Sequence, residues 1–178
     1  LDHARIESGH LRIEPSLTAL APLMDEVADM VRGTAEKNGN TLIVGDVRDL
    51  GSAYVDRARL KQCMLNLATN AVKFTHDGTV TLNLSLEQRG DAPMLRFDAI
   101  DTGIGMNEAT QAKLFVPFLQ ETQSTTRLYG GAGLGLAITK SIVDAMGGVI
   151  TATSRPGAGA TFSMLVPRIQ TPSRQEAA

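Results

Sequence analysis

The side chains best suited to chemistry fall in two stretches, LNLATNAVKF with Asn66, Asn70 and Lys73, and DTGIGM with Asp101. Asparagine is a poor interior helix residue, because its amide competes for nearby backbone groups, so a pair of them four apart calls for an explanation. At about 100° per residue, Arg59, Gln62, Asn66, Asn70 and Lys73 share one stripe, with Leu60, Met64, Leu67, Ala68 and Ala71 opposite. A stripe kept only for solubility would favour Glu, Lys or Arg. Neutral amide oxygens are hard ligands suited to Mg²⁺, which takes its remaining oxygens from water and phosphates, and an ammonium one turn away pairs with those phosphates. A plain solvent-facing stripe is the competing explanation.

Asp101 stands at the end of an alternating strand pattern, followed by Gly103 and Gly105, which let backbone approach a ligand without a Cβ in the way. If a purine sits there, the carboxylate accepts a hydrogen bond from an adenine amino group. Guanine would set a carbonyl oxygen against it, two acceptors face to face. An ordinary strand exit is the alternative. GGAGLGLA, Gly130 to Ala137, runs into a helix whose free N–H groups could hold phosphate. It lacks the Lys-Ser or Lys-Thr pair of a phosphate loop and no strand precedes it as in the dinucleotide fingerprint, so a hinge is an equal reading. GAGATF adds a further glycine turn, with Thr161 entering a strand.

The elements that position these groups follow from periodicity. LRIE (11–14) alternates as a short strand that Pro15 and Ser16 break, and a helix follows with Leu20, Leu23, Met24, Val27, Met30 and Val31 on one face, stopped by KNGN. TLIV from Thr41 and SAYVD to Asp56 read as strands, and Asp56 as the N-cap of the asparagine helix, which reaches about Phe74. TVTLNLSLEQ and MLRFDAID alternate strictly as paired antiparallel strands with one covered face, joined by a GDAP loop. A helix near 107–114 precedes a long polar segment without apolar period, of the kind that forms functional lids or is disordered. A helix over about 134–146 and the strands GGVITATS and GATFSMLVP complete an α+β sandwich.

The 178 residues, 43% hydrophobic and 20% charged, suffice for one domain with its own core. A formal net charge of −2 with mixed signs gives no basic stripe for nucleic acid. Cys63 is the single cysteine, which excludes an intrachain disulfide and fits a reducing compartment. No apolar run approaches the roughly 20 residues of a membrane span. A soluble, cytoplasmic domain is expected, and the start without Met in a helical-looking phrase suggests a piece of a longer parent protein, whose membrane anchoring is left open.

In this order the motifs resemble the ATP-binding catalytic domain of bacterial sensor histidine kinases, whose superfamily also holds DNA gyrase B and the ninety-kilodalton heat-shock chaperone. The resemblance covers roughly Leu11 to Pro167: NLATNAVKF resembles the N box, DTGIGM the first glycine box, LFVPF the F box, GGAGLGL the second glycine box and GATFSMLVP the last. It implies the Bergerat fold, a two-layer α/β sandwich with a mixed, largely antiparallel sheet on three helices, binding ATP and Mg²⁺. It implies that Asn70 coordinates Mg²⁺ with Asn66 assisting, Lys73 touches phosphate, and Phe74 lines the adenine or ribose pocket. Asp101 would read the adenine amino group, Gly103 and Gly105 shape the pocket wall, and Thr161 support Asp101 through water. Gly131, Gly133, Leu134 and Gly135 would close over the phosphates, Arg127 reach the γ-phosphate, and Phe115 and Phe118 pack the lid's hinge or simply the core.

Residues 1–10 resemble the end of a dimerisation and phosphoacceptor helix, 11–167 the catalytic domain, and 168–178 a polar tail. His3, His10 and His76 lack the phosphoacceptor pattern, so a γ-phosphate would pass to a histidine on a separate domain and on to a response regulator or receiver. A monomeric fragment of a homodimeric parent is expected. Hydrolytic relatives carry a glutamate where this chain has Asn66, which cannot act as a general base. Ala132 replaces a common threonine and Leu128 a frequent basic residue, together weakening ATP binding by about 1 to 3 kcal/mol. A nucleotide-sensing scaffold is therefore the other reading.

Overall fold

The computed structural model describes residues 11–116 and 135–168. Among these residues, seven strands and four α-helices follow in the order β1 (Ser16–Ala19), α1 (Leu20–Lys37), β2 (Thr41–Val44), β3 (Ser52–Val55), α2 (Arg57–Lys73), β4 (Thr79–Arg89), β5 (Ala92–Asp101), α3 (Glu108–Gln111), α4 (Gly135–Ala145), β6 (Val149–Ser154) and β7 (Ala160–Pro167). Five strands form one sheet in the order β2-β4-β5-β7-β6, while β1 and β3 pair antiparallel beside it. Only the β2–β4 pair of the large sheet is parallel. The expected mixed, largely antiparallel sheet is present, with α1, α2 and α4 as its main helices.

The covered face is built as alternation demands. Leu82, Leu95, Phe97, Ala99 and Met164 point inward and meet Leu20, Leu23, Leu60, Met64, Leu67 and Ile142 of the helices, all essentially inaccessible to solvent. Along α2 the residues expected on the apolar side, Leu60, Met64, Leu67, Ala68 and Ala71, are buried. Asp56 caps this helix as expected, accepting from Arg59 N at 3.0 Å, and its second oxygen accepts from Glu14 N at 2.8 Å. α1 has no side-chain cap; Leu20 N donates to Gly51 O at 3.0 Å instead. Gly39 at φ 68° turns the chain out of α1, where KNGN marked the stop.

Three boundaries differ from the sequence reading. The first strand is Ser16–Ala19 rather than 11–14, because register with Ser52–Val55 selects the stretch after Pro15 over the alternating stretch before it. β5 begins at Ala92, so the turn after β4 is only Gly90 and Asp91, and ladder pairing carries Ala92 and Pro93 into the strand. α3 is four residues long where eight were expected, capped by Asn107, whose side chain accepts from Thr110 N at 2.8 Å.

Candidate functional site

The C-terminal end of α2, the loop after β5 and the start of β7 converge on Asp101. The residue is 6% exposed, and Oδ1 accepts from Gly103 N at 2.9 Å and Ala160 N at 3.2 Å. These two N–H groups fix the carboxylate's rotation and leave Oδ2 for another donor. Burial pushes the Asp101 pKa up, outweighing the two backbone bonds and the nearby Thr75 hydroxyl, which favour the charged form. The carboxylate is thus a desolvated acceptor that gains from a donor brought by a ligand.

The glycines of DTGIGM also serve the packing of the loop itself. A Cβ on Gly103 would stand 2.2 Å from Phe74 O, and one on Gly105 1.9 Å from Arg155 O. Both contacts are with the protein's own backbone, so these glycines let the loop pack between α2 and the β6–β7 turn. Met106 N donates to Ser154 Oγ at 2.8 Å, and Gln111 Nε2 donates to Met106 O at 3.3 Å and Ser154 O at 3.0 Å, pinning the far end of the loop.

On α2, Asn66 Nδ2 donates to Thr139 Oγ1 of α4 at 2.9 Å, and Asn66 Oδ1 lies 2.6 Å from where a Cβ on Gly135 would be. Asn66 therefore joins the two helices at the start of α4, with Gly135 small enough to admit it. Asn70 is one turn on and half-buried, and its side chain makes no hydrogen bond among the described residues. Lys73 Nζ sits 5.3 Å from the centroid of the Phe74 ring, and partial burial lowers its pKa. Asn66, Asn70 and Lys73 follow one another along the stripe, and Phe74 caps the helix.

Thr161 is not brought to Asp101. β7 pairs Ala160 with Asp101 and Thr161 with Ile100, so Thr161 shares the outer face with Ser163, whose Oγ donates to Asp98 Oδ1 at 2.5 Å. The residue beside the carboxylate is Ala160. Phe115 packs partly buried against the core. Phe118, Arg127, Leu128, Gly131, Ala132, Gly133 and Leu134 lie outside the described residues, as do His3 and His10. No sequence signal marks Thr75, Asn40, Thr139, Ser154 or Gln111, each of which acts on residues far away along the chain. Among the described residues, no cluster of three His, Cys, Asp or Glu could hold a metal, and no helix is long and apolar enough to cross a membrane.

Residues 55–170, which include Asn66, Asn70, Lys73 and Asp101, match the model of the histidine kinase-, DNA gyrase B- and HSP90-like ATPase family. The chain belongs to that family. This ATPase-family domain is 38% identical over 170 residues to the autoinducer 2 sensor kinase/phosphatase LuxQ of Vibrio parahaemolyticus, an alignment covering 94% of the chain and 20% of LuxQ. It is 37% identical to the virulence sensor protein BvgS of Bordetella bronchiseptica, over 92% of the chain and 13% of BvgS. The chain thus spans a fifth or less of these relatives. Its fold superposes on full-length ShkA in complex with AMPPNP with a TM-score of 0.76 at 34% identity, covering 96% of the chain and 35% of ShkA. On the nucleotide-free catalytic domain of the histidine kinase ThkA the TM-score is 0.72 at 26% identity, covering 87% of the chain and 96% of that domain. The architecture is that of a histidine kinase catalytic domain.

Proposed function

We propose that this chain is the catalytic domain of a sensor histidine kinase, binding Mg-ATP and presenting the γ-phosphoryl group to a histidine on a separate dimerisation and phosphoacceptor domain of the parent protein. The observation that carries the adenine assignment is Asp101: one carboxylate oxygen is held by two backbone N–H groups, and the other is left to accept from an exocyclic amine. The AMPPNP complex of ShkA, which has the same fold, supports an adenine nucleotide as occupant.

The residues on α2 fit a magnesium ion. Asn70 offers a half-buried amide oxygen with no hydrogen bond of its own among the described residues, and Asn66 spends its Nδ2 on Thr139, so its oxygen is the part left for the site. When bound, the ion neutralises charge on the phosphate oxygens. Asn70 and Asn66 would hold it, and Lys73 would pair with phosphate beside Phe74. Gly135 admits the amide of Asn66 at the N-terminus of α4, where backbone N–H groups favour anions. Arg127, Gly131, Gly133 and Leu134 complete the phosphate side in this reading. Phosphoryl transfer asks mainly for positioning and charge neutralisation, which this set supplies without a general base. Hydrolysis would ask for a base at position 66, and an asparagine amide cannot accept the proton.

The test mixes the chain with the phosphoacceptor domain of its parent and labelled ATP. Acid-labile phosphate on the phosphoacceptor domain, passing on to a receiver domain, is expected. ATP binding without any transfer would overturn the kinase reading in favour of a nucleotide-sensing scaffold.

A further inference from the structure

Thr75, the second residue after α2, is fully buried, and its Oγ1 is the one buried side-chain oxygen or nitrogen among the described residues that lacks a well-formed hydrogen bond. Leaving a buried hydroxyl unpaired is costly, so its retention calls for a reason. The side chain is not free to turn away. Its Cγ2 faces Gly78, 2.7 Å from where a Cβ there would be, and its Oγ1 faces Gly103, 2.8 Å from the corresponding point. A β-branched residue wedged in this way keeps a single χ1.

The backbone is held equally firmly. Asn40 Nδ2 donates to Thr75 O at 2.8 Å and Val72 O at 3.1 Å, and Asn40 Oδ1 accepts from Gly78 N at 3.1 Å. The hydroxyl therefore points toward the turn in which Gly103 N bonds Asp101, and it acts on that carboxylate in the direction of ionisation. β7 supplies no hydroxyl on this side, since Ala160 is the residue across from Asp101 and Thr161 lies on the other face.

We propose that Thr75 is a positioning residue for base recognition, its hydroxyl completing a hydrogen bond to the Asp101 carboxylate when a 6-aminopurine nucleotide enters the pocket. Oδ1 already carries two N–H donors, so a third donor from Thr75 keeps the group anionic and its remaining oxygen directed at the exocyclic amine. The hydroxyl already favours the ionised carboxylate, and a bound 6-aminopurine draws it into a full hydrogen bond. This inference rests on the nucleotide reading above and adds to it the residue that tunes the acceptor.

The experiment compares Thr75→Val, Thr75→Ser and the wild-type domain in calorimetric titrations with ATP and with inosine triphosphate, whose 6-oxo group cannot donate to Asp101. Removing one hydrogen bond to a charged group predicts that Thr75→Val weakens ATP about tenfold. Inosine triphosphate should be nearly unaffected, so discrimination between the bases shrinks, and Thr75→Ser should restore it. Thermal melting of nucleotide-free Thr75→Val should not fall below wild type, because an unpaired hydroxyl has been replaced by a methyl group of the same shape. Equal losses for both nucleotides, or Thr75→Ser behaving as Thr75→Val, would reduce the residue to packing and overturn the proposal. Wild-type binding of ATP with unchanged affinity in Thr75→Val sinks this inference alone. Failure of the wild type to bind ATP sinks the nucleotide reading and this inference together.

Discussion

Asp101→Asn is the most informative perturbation of the pocket, because the structure says which half of the side chain it changes. Oδ1 accepts from Gly103 N and Ala160 N, and an asparagine oxygen can keep both bonds. The substituted atom is the other oxygen, which becomes an NH₂ facing the incoming adenine amine, donor against donor. Flipping the amide only moves the clash onto the two backbone N–H groups. The loss combines a hydrogen bond to a charged acceptor, about 1.5 to 3 kcal/mol, with a partly desolvated pair of donors, for roughly 2 to 4 kcal/mol in all. At 1.4 kcal/mol per decade, that is about 30-fold to 1000-fold in the dissociation constant. Inosine triphosphate should move the other way, since its 6-oxo group can accept from the new amide. Calorimetric titration of both nucleotides into wild type and variant measures the exchange. ATP binding as tight as wild type, or equal losses for both nucleotides in a folded variant, would refute the argument.

Further expectations follow from the same geometry. Asn70→Ala should make ATP affinity insensitive to added magnesium; full retention of that sensitivity in a titration series would remove Asn70 from the metal site. Asp101 has its pKa raised above 3.8, so the folded protein holds this proton more tightly than the unfolded chain, and stability falls as pH rises from below 3.8 through the folded pKa. Nucleotide-free Asp101→Asn should therefore melt higher than wild type at pH 7, with the gap closing on acidification, as a stability gained at the expense of function. Gly105→Ala combines φ 64° with a Cβ 1.9 Å from Arg155 O. Left-handed strain and overpacking together predict a loss of about 2 to 5 kcal/mol in urea denaturation. Cys63 is fully buried against α4, with its thiol pKa pushed up to about 12 by burial. A thiol reagent should modify it only through opening of the domain, so a rate in native buffer matching that in urea would contradict its burial.

What the sequence determined by itself was local or periodic. The 3.6-residue pattern placed Leu60, Met64, Leu67, Ala68 and Ala71 on the buried side of α2 and Asn66, Asn70 and Lys73 on the other, because both faces of a helix are written within a few turns. Two-residue alternation marked β4 and β5, and Asp56 marked a helix start, for the same reason. Tertiary structure alone decided matters that depend on which strands meet. Register put Ala160 rather than Thr161 beside Asp101, moved the first strand past Pro15, and brought the backbone of Phe74 and Arg155 against Gly103 and Gly105. It also recruited Thr75 through Asn40, 35 residues away, and tied Asn66 to Thr139 across 73 residues. Hydrogen bonds of that span leave no periodic trace in the chain, since their partners are set by the packing of whole elements and not by the residues adjoining them.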